Sequence, residues 1–326
     1  MNESSSSIAP FVVIRDDAPP ASLRGAVVAI GNFDGVHRGH RAVIDNALRI
    51  GRAHGWPAAA VTFEPHPRSY FRPHDPLFRL TDESTKLRLL AGAGLDGAFV
   101  MTFNAALATL SAEDFVARIL VERFGVNGAV IGFDFHFGKD RRGSPAFLAA
   151  EGERRGFAVE IVAPLEDEGR PVSSTSIRSA LAEGRVVEAS ELLGRPWFVH
   201  GTVEHGDKRG RTLGYPTANL RLPSSCGLKH GIYAVRVALD GTLYDGVASF
   251  GRRPTFDNGA PLLEVFLFDF AGDLYGRALD VAFVGWIRPE MRFEDVDELI
   301  RRMDEDSRQA RAILSRAPPW EPPPPL

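Results

Sequence analysis

The sequence predicts two domains of different class: an α/β domain on a parallel sheet, then a small β-barrel closed by one C-terminal helix. Three observations carry that prediction. Through the first half, short apolar runs alternate with helix-period patterns, as strands joined by covering helices do. From Trp197 onward, strand-like segments follow one another with turn residues between them. A length of 326 residues is enough for two separate cores.

The first strand is Ala26-Val27-Val28-Ala29-Ile30, a continuous apolar run of the kind buried on both faces. A glycine-bearing stretch follows, Gly31-Asn32-Phe33-Asp34-Gly35-Val36-His37-Arg38-Gly39-His40. It leads into a helix with Val43, Ile44, Ala47 and Leu48 on one face and Gly51 as its expected stop. Strand Ala58 to Phe63, a helix over Ser84 to Leu90 and strand Ala98 to Met101 come next. Ser111 is the expected N-cap of a helix presenting Phe115, Val116, Ile119 and Leu120. Strand Ala129 to Phe133, a helix from about Ser144 to Arg155, strand Ala158 to Val162 and a last helix opened by Ser173 complete a domain set at residues 1–184.

A short helical connection through Leu192-Leu193-Gly194 leads to strands Trp197 to His205, Ile232 to Leu239, Leu243 to Phe250, Leu262 to Phe270 and Leu279 to Gly285. Asp240-Gly241 marks a hairpin between two of them. The closing helix is expected to bury Val296, Leu299, Ile300, Met303, Ala310 and Ile313. This second domain is set at residues 185–326. Its end, from about residue 317, is a proline-rich tail that can be neither helix nor central strand.

Composition narrows the function. The apolar and charged fractions are those of an ordinary globular protein. A net charge of −4 argues against a general nucleic-acid binder, and no stretch has the length and apolarity of a membrane span. Cys226 is the single cysteine, so no disulfide framework exists and a spectator role is expected for it. Residues 1–7 are polar, lack the apolar core of a signal peptide and read as disordered, which fits a cytoplasmic protein.

The candidate chemistry sits where strands end. Gly31 to His40 is a turn from a strand into a helix N-terminus, where free amides and the helix dipole favour a phosphate. His37 and His40 stand three residues apart and share a helix face. Incidental histidines or a zinc pair are the plainer readings, though zinc needs further ligands that the neighbourhood does not supply. Thr62-Phe63-Glu64-Pro65-His66-Pro67 ends another strand and alone would be a rigid loop. Gly132-Phe133-Asp134-Phe135-His136-Phe137-Gly138-Lys139 suits a stacked ring or an aromatic core cluster. Ser173 to Arg178 offers hydroxyls at an N-cap with an arginine one turn on, an anion clamp or plain capping.

In the second half, Gly201, Gly206, Gly210 and Gly214 surround Lys208, Arg209 and Arg211 and lead into Tyr215-Pro216-Thr217-Ala218-Asn219. No Gly-Lys-Ser/Thr ending makes this a Walker A loop. Glycines still admit phosphates to the backbone, and Thr217 and Asn219 fall on one face of an extended segment, where their oxygens can hold Mg²⁺. The plain alternative for the cations is a solvated basic loop.

Taken together, these motifs resemble a known family. His37-Arg38-Gly39-His40 is similar to the His-x-Gly-His signature of the nucleotidyltransferase superfamily. The longer Gly-Asn-Phe-Asp-Gly-Val-His form, with the Thr-Phe-Glu-Pro-His-Pro, Gly-x-Asp-Phe-x-Phe-Gly and Ser-Ser-Thr-x-Ile-Arg segments, resembles bacterial bifunctional riboflavin kinase/FMN adenylyltransferases, or FAD synthetases. Where that family usually has arginine this chain has His136. Gly210-Arg211-x-x-Gly214-x-Pro216-Thr217-Ala218-Asn219 resembles the riboflavin kinase signature. Lys229 to Val235, Gly251 to Thr255, Leu263-Glu264-Val265, Asp273 to Gly276 and Arg288-x-Glu290-x-Arg292-Phe293 match it as well, with Phe266 where histidine is common.

The resemblance implies a Rossmann-like nucleotidyltransferase domain and a riboflavin kinase barrel, with ATP as co-substrate and Mg²⁺ (or Mn²⁺). By resemblance, Glu264 is the kinase base, and His37, His40, Ser174, Thr175 and Arg178 handle the phosphates of adenylyl transfer. Gly31, Asn32, Gly35, Gly201, Gly210, Arg211 and Gly214 are expected at ATP, Thr217 and Asn219 at the metal, and Phe63, Asp134 and Arg292 at flavin or nucleotide. Expected partners are riboflavin, FMN and ATP, with no nucleic acid or membrane; a weak homo-oligomer stays open. A riboflavin kinase with a binding but inactive first domain, or a flavin-binding regulator, are the alternatives.

Overall fold

The structure, a computed structural model, describes residues 10–167, 169–205, 215–252, 261–293 and 295–326. Its contacts divide the chain into two compact units. The first comprises Met1–Leu77, Thr81–Val172 and Pro323–Leu326; the second comprises Phe78–Leu80 and Ser173–Pro322.

The first unit is built on a six-stranded sheet with every pair parallel: β1 (Val12–Arg15), β2 (Val27–Ile30), β3 (Ala58–Glu64), β4 (Gly97–Thr102), β5 (Gly128–Gly132) and β6 (Ala158–Val162). The strand order is β1-β4-β3-β2-β5-β6. Both β2 and β3 are buried throughout, as expected of apolar strands covered on two faces. From β2 the chain adds β3 and β4 on one side, then places β5 and β6 on the other. The order therefore reverses between β2 and β5, and ligands of open α/β sheets bind beyond the carboxyl ends at such a reversal.

The helices of this unit are α1 (Arg38–His54), α2 (Pro67–Phe71), α3 (Glu83–Gly92), α4 (Ala105–Ala108), α5 (Ala112–Asp114, running on in π-type turns over Phe115–Arg123) and α6 (Pro145–Arg155). Ser111 caps α5 as expected, accepting from the Asp114 amide. Helix α1 runs past Gly51 and stops at Gly55, which takes the left-handed conformation. Gly51 is instead a packing glycine, since a Cβ there would lie 2.8 Å from the Trp56 carbonyl oxygen. The core gathers Val28, Ile30, Val61, Phe99, Leu120 and Ile131, with Phe99 stacked on Phe124 at 4.2 Å. A two-strand hairpin, β7 (Glu166–Asp167) and β8 (Arg170–Pro171), lies outside the sheet.

The second unit begins with α7 (Ser174–Ala182) and α8 (Val186–Leu193). Its strands are β9 (Trp197–Thr202), β10 (Ala218–Arg221), β11 (Gly231–Leu239), β12 (Thr242–Arg252), β13 (Pro261–Leu267) and β14 (Ala278–Arg288), all antiparallel in the order β10-β13-β12-β11-β14-β9. Register shifts in the β11–β14 pairing bend the sheet. Its two end strands come together where Glu204 bridges Asn219, the Glu204 amide donating to the Asn219 carbonyl at 2.9 Å. The result is a nearly closed barrel filled by Tyr233, Val235, Phe250, Leu263, Val265 and Phe283.

Helix α9 (Val296–Leu314) packs on the barrel through Ala310 and Leu314, against Ala234 and Phe268. Val296, expected to be buried, is 55% exposed at the helix start. The deepest polar position of that face is Asp306, which no hydrophobic pattern marks. After α9 the proline-rich segment is fixed in place. Arg236 donates to the carbonyls of Leu314, Ala317 and Pro318, and Trp320 packs on Phe198. Arg88, in the first unit, holds the Pro323 and Pro324 carbonyls. Among the described residues no helix is long and apolar enough to cross a membrane.

Candidate functional site

In the first unit the site grows from the end of β2. Gly31 still donates to Val61 of β3 at 3.0 Å, and a Cβ on it would press on the Phe33 ring at 3.3 Å. The chain then turns through Phe33 at φ 51° and Val36 at φ 39°, a left-handed conformation that a β-branched residue adopts only under constraint. That constraint is visible. Asp34 is buried and accepts from the Thr81 amide at 3.1 Å, while the Gly35 amide donates to the Thr81 hydroxyl at 3.1 Å. Gly31 and Gly35 thus shape the turn. Asn32 stays exposed at its crest.

The turn delivers His37 as the N-cap of α1. Its Nδ1 accepts from the His40 amide at 3.2 Å, and the two imidazoles stack with centroids 3.6 Å apart. Phe33 meets His40 edge-on at 5.3 Å. Both rings therefore stand at the positive end of a helix of 17 residues, at the sheet's reversal point. Close approach is also built in at Gly39, where a Cβ would lie 3.2 Å from both the His37 ring and the Val172 carbonyl. Beneath the turn, Lys86 is 1% exposed. Its ammonium meets Glu64 at 2.6 Å and donates to Thr62 Oγ1 at 3.0 Å and to the carbonyls of Phe63 and Asn32. This buried pair ties α3, the end of β3 and the turn into one block. Lys86 lies in no motif of the sequence, and Glu64, though part of the Thr62–Pro67 segment, shows no sign of burial there, because hydrophobic periodicity treats charge as surface.

The neighbouring strand ends supply the rest. Beyond β5, Asp134 is exposed and His136 Nδ1 lies 3.0 Å from the Asp134 carbonyl. The aromatic reading of that segment divides. Phe137 belongs to the core with Phe115 and Phe147, whereas Phe133 is half exposed. Phe63 is likewise a core residue, edge-on to Phe103 at 6.2 Å. Phe103 in turn meets Tyr70 and Phe71, and Phe71 is 64% exposed, an aromatic surface outside every motif of the sequence.

In the second unit, Ser173 and Ser176 form a reciprocal capping box at the start of α7. Capping is thus done by those two hydroxyls, which leaves Ser174 and Thr175 in the first turn, where anions bind. Arg178 donates through Nε to the Phe78 carbonyl.

On the barrel, Leu263, Val265 and Leu267 of β13 point inward, so Glu264 and Phe266 share the outer face. Glu264 stands directly opposite Asn219 of β10 and Ser249 of β12. Cross-strand neighbours of this kind have Cβ atoms about 4.5–5.5 Å apart. Asn219 is 7% exposed, and its Oδ1 has no hydrogen-bond partner among the described residues. A buried acceptor left in that state fits an oxygen ligand of a hard cation. Glu290 closes in from the end of β14. A Cβ on Gly251 would collide with its carboxylate, and His230 Nδ1 lies 3.8 Å from it. Burial pushes the Glu290 carboxyl above the ordinary range; His230 offsets this in part, and the like charge of Glu264 adds to it. Ser249 and His230 complete the group; Ser249 lies in no motif of the sequence.

Gly201 is a packing position on β9, where a Cβ would meet Leu220 at 3.0 Å. Arg292 is exposed. Gly206, Lys208, Arg209, Gly210, Arg211 and Gly214, as well as Arg253, Pro254 and Thr255, lie outside the described residues.

The first unit thus presents a helix N-terminus carrying two stacked histidines, and the second a strand carboxylate opposite a buried amide oxygen without a hydrogen-bond partner among the described residues. A curated bifunctional riboflavin kinase/FMN adenylyltransferase of Pseudomonas fluorescens is 44% identical over 90% of this chain and 94% of its own length. The chain belongs to the bifunctional riboflavin kinase/FMN adenylyltransferase family. The family model for FAD synthetase matches residues 20–176, and that for riboflavin kinase matches residues 193–314. The Escherichia coli K12 relative of the same name is 39% identical over 92% of this chain and 96% of that protein. Among solved structures, one titled a macrolide-efflux protein from Streptococcus pneumoniae is similar with a TM-score of 0.83 and 33% identity, covering 92% of this chain and 99% of that one.

Proposed function

We propose that this chain makes FMN and then FAD, each unit carrying out one step. In the second unit the 5′-hydroxyl of riboflavin attacks the γ-phosphorus of ATP. Glu264 takes the hydroxyl proton as the new O–P bond forms, and the bond to ADP breaks. Asn219, directly opposite, and Thr217, two residues before it, are the oxygen ligands that would hold Mg²⁺ or Mn²⁺, which when bound neutralises phosphate charge. In the first unit an FMN phosphate oxygen attacks the α-phosphorus of ATP, and pyrophosphate leaves. That nucleophile is already anionic and needs no base. His37 and His40 bear on the charge that develops, at the positive end of α1, with Asn32 and Asp134 exposed at the same strand ends.

The observation that supports this reading most is the Glu264–Asn219 register, since a protein that merely binds flavin needs neither a base nor a vacant oxygen beside it. The test is chromatography of flavins after incubation with riboflavin, ATP and Mg²⁺. FMN appearing first and FAD after it is the expected course. FMN that accumulates without FAD, even when FMN is supplied, would leave the first unit without the proposed step. Riboflavin recovered unchanged from folded protein would overturn the whole reading.

A further inference from the structure

The kinase site is assembled from segments far apart in the chain, and one turn of α9 touches two of them. Tyr215, which opens the Tyr215-Pro216-Thr217-Ala218-Asn219 segment, donates its hydroxyl to Asp304 of α9. Its ring packs on Phe266 at 4.9 Å, on the strand face that also carries Glu264. At the other side, Arg288 ends β14 immediately before Pro289 and Glu290. Its guanidinium makes a two-point fork onto Asp306 of α9, at 2.8 and 2.6 Å, and also donates to the Pro289 carbonyl at 2.9 Å. Asp306 is 3% exposed and Arg288 7%, so this fork is buried, and its geometry admits little rotation. Residues 304 and 306 of one helix thus meet two different segments, one bearing Thr217 and Asn219, the other bearing Glu290.

We propose that Asp304 and Asp306 are positioning residues for phosphoryl transfer, with α9 acting as the jig that sets the spacing between the Thr217–Asn219 segment and the Glu290 segment on either side of Glu264. The proposal rests on the kinase reading above. Asp304 acts through Tyr215 on the segment expected to meet the metal and ATP. Asp306 acts through Arg288 on the carboxylate beside the base.

The two arms call for different kinetic signatures. Tyr215→Phe and Asp304→Asn should each raise the KM for ATP at fixed Mg²⁺ and lower kcat for riboflavin phosphorylation by about ten- to a hundredfold, the scale on which small misplacements act. The double variant should be no worse than either single one, since both remove the same contact. Arg288→Lys keeps the charge, loses the fork and should lower kcat with little change in the KM for ATP. FAD formation from supplied FMN, measured on the same samples, should be unchanged and reports that the chain is intact. A purely structural role would lower the melting temperature and leave KM and kcat at 25 °C alone, and that result overturns the proposal. Additive losses in the double variant would overturn it too. If the wild-type chain forms no FMN at all, the kinase reading fails first, which separates the two failures.

Discussion

On the proposed reading the two units hold a polyphosphate by opposite means. In the first the site is local. Ten consecutive residues, Gly31 to His40, form the turn, the cap and both imidazoles, and the main partners from outside, Thr81 and Lys86, only brace it. In the second the site is collected from afar: Asn219, Ser249, Glu264 and Glu290 come from four separate strands or strand ends, and α9 anchors the outer pair of segments. A local site is specified by a motif and stabilised from beneath. A collected site is specified by register, and every element that sets register becomes part of it.

Three experiments sharpen or break that contrast. The largest effect is expected from the reacting groups themselves. Glu264→Gln should reduce FMN formation by about 10²–10⁴-fold, the usual contribution of a general base, and leave FAD formation from FMN intact. His37→Ala with His40→Ala should do the reverse. Flavin chromatography with each substrate supplied separately reads both, and loss of both reactions in a folded variant of either kind would dissolve the division between units.

Next comes the brace under the local site. Lys86→Met strands Glu64 as an unpaired buried charge, which typically costs about 3–5 kcal/mol. The urea concentration that abolishes FAD formation should fall, while the one that abolishes FMN formation should hold. Adding Glu64→Gln should recover much of the loss. Equal sensitivity of both activities would show that the block beneath the turn is not confined to the first unit's function.

The smallest effect concerns pH. Glu290 is held above the ordinary carboxylate range, chiefly by burial, with Glu264 adding to it and His230 opposing. A raised folded-state pKa means full stability below the unfolded value and a loss as pH rises through the folded one. Glu290→Gln should therefore melt slightly higher than wild type near neutral pH and no higher below pH about 4, where both forms are neutral. Calorimetry at the two pH values decides it, and an equal offset at both would remove Glu290 from the titrating cluster.

Much of this was legible in the sequence, for physical reasons that differ by element. Strands β2 to β5 announced themselves because parallel strands buried on both faces are apolar along nearly their whole length, while β6, at the sheet edge and partly exposed, was marked by its β-branched residues and its place after a helix. Strand β1 escaped notice: Val12–Arg15 is only four residues at the sheet edge, and a short apolar run does not distinguish strand from helix. The His37–His40 turn was readable because its chemistry is contiguous. The charged pairs were not. Lys86 with Glu64 and Arg288 with Asp306 are buried, yet each residue alone reads as surface, and only the tertiary fold brings the partner. The same limit explains Val296. It falls on the apolar stripe of α9 by periodicity, but the helix buries that stripe towards its end, through Ala310 and Leu314, and leaves Val296 in its first turn exposed.

The barrel's seam has a consequence for time rather than for affinity. Among the described residues, β9 and β10 meet where the Glu204 amide bonds to the Asn219 carbonyl, and Asn219 is also the residue whose buried side-chain oxygen has no hydrogen-bond partner. A sheet closed at so slender a junction opens there before it opens anywhere else in the ladder. Each such opening frees the edge strand that carries Asn219 from β9, while its pairing with Glu264 on β13 stays in place. The exchange of the Glu204 amide with solvent deuterium therefore keeps a clock of how often the barrel parts beside Asn219, and a ligand that engages Asn219 would slow that clock without adding a single contact to the seam.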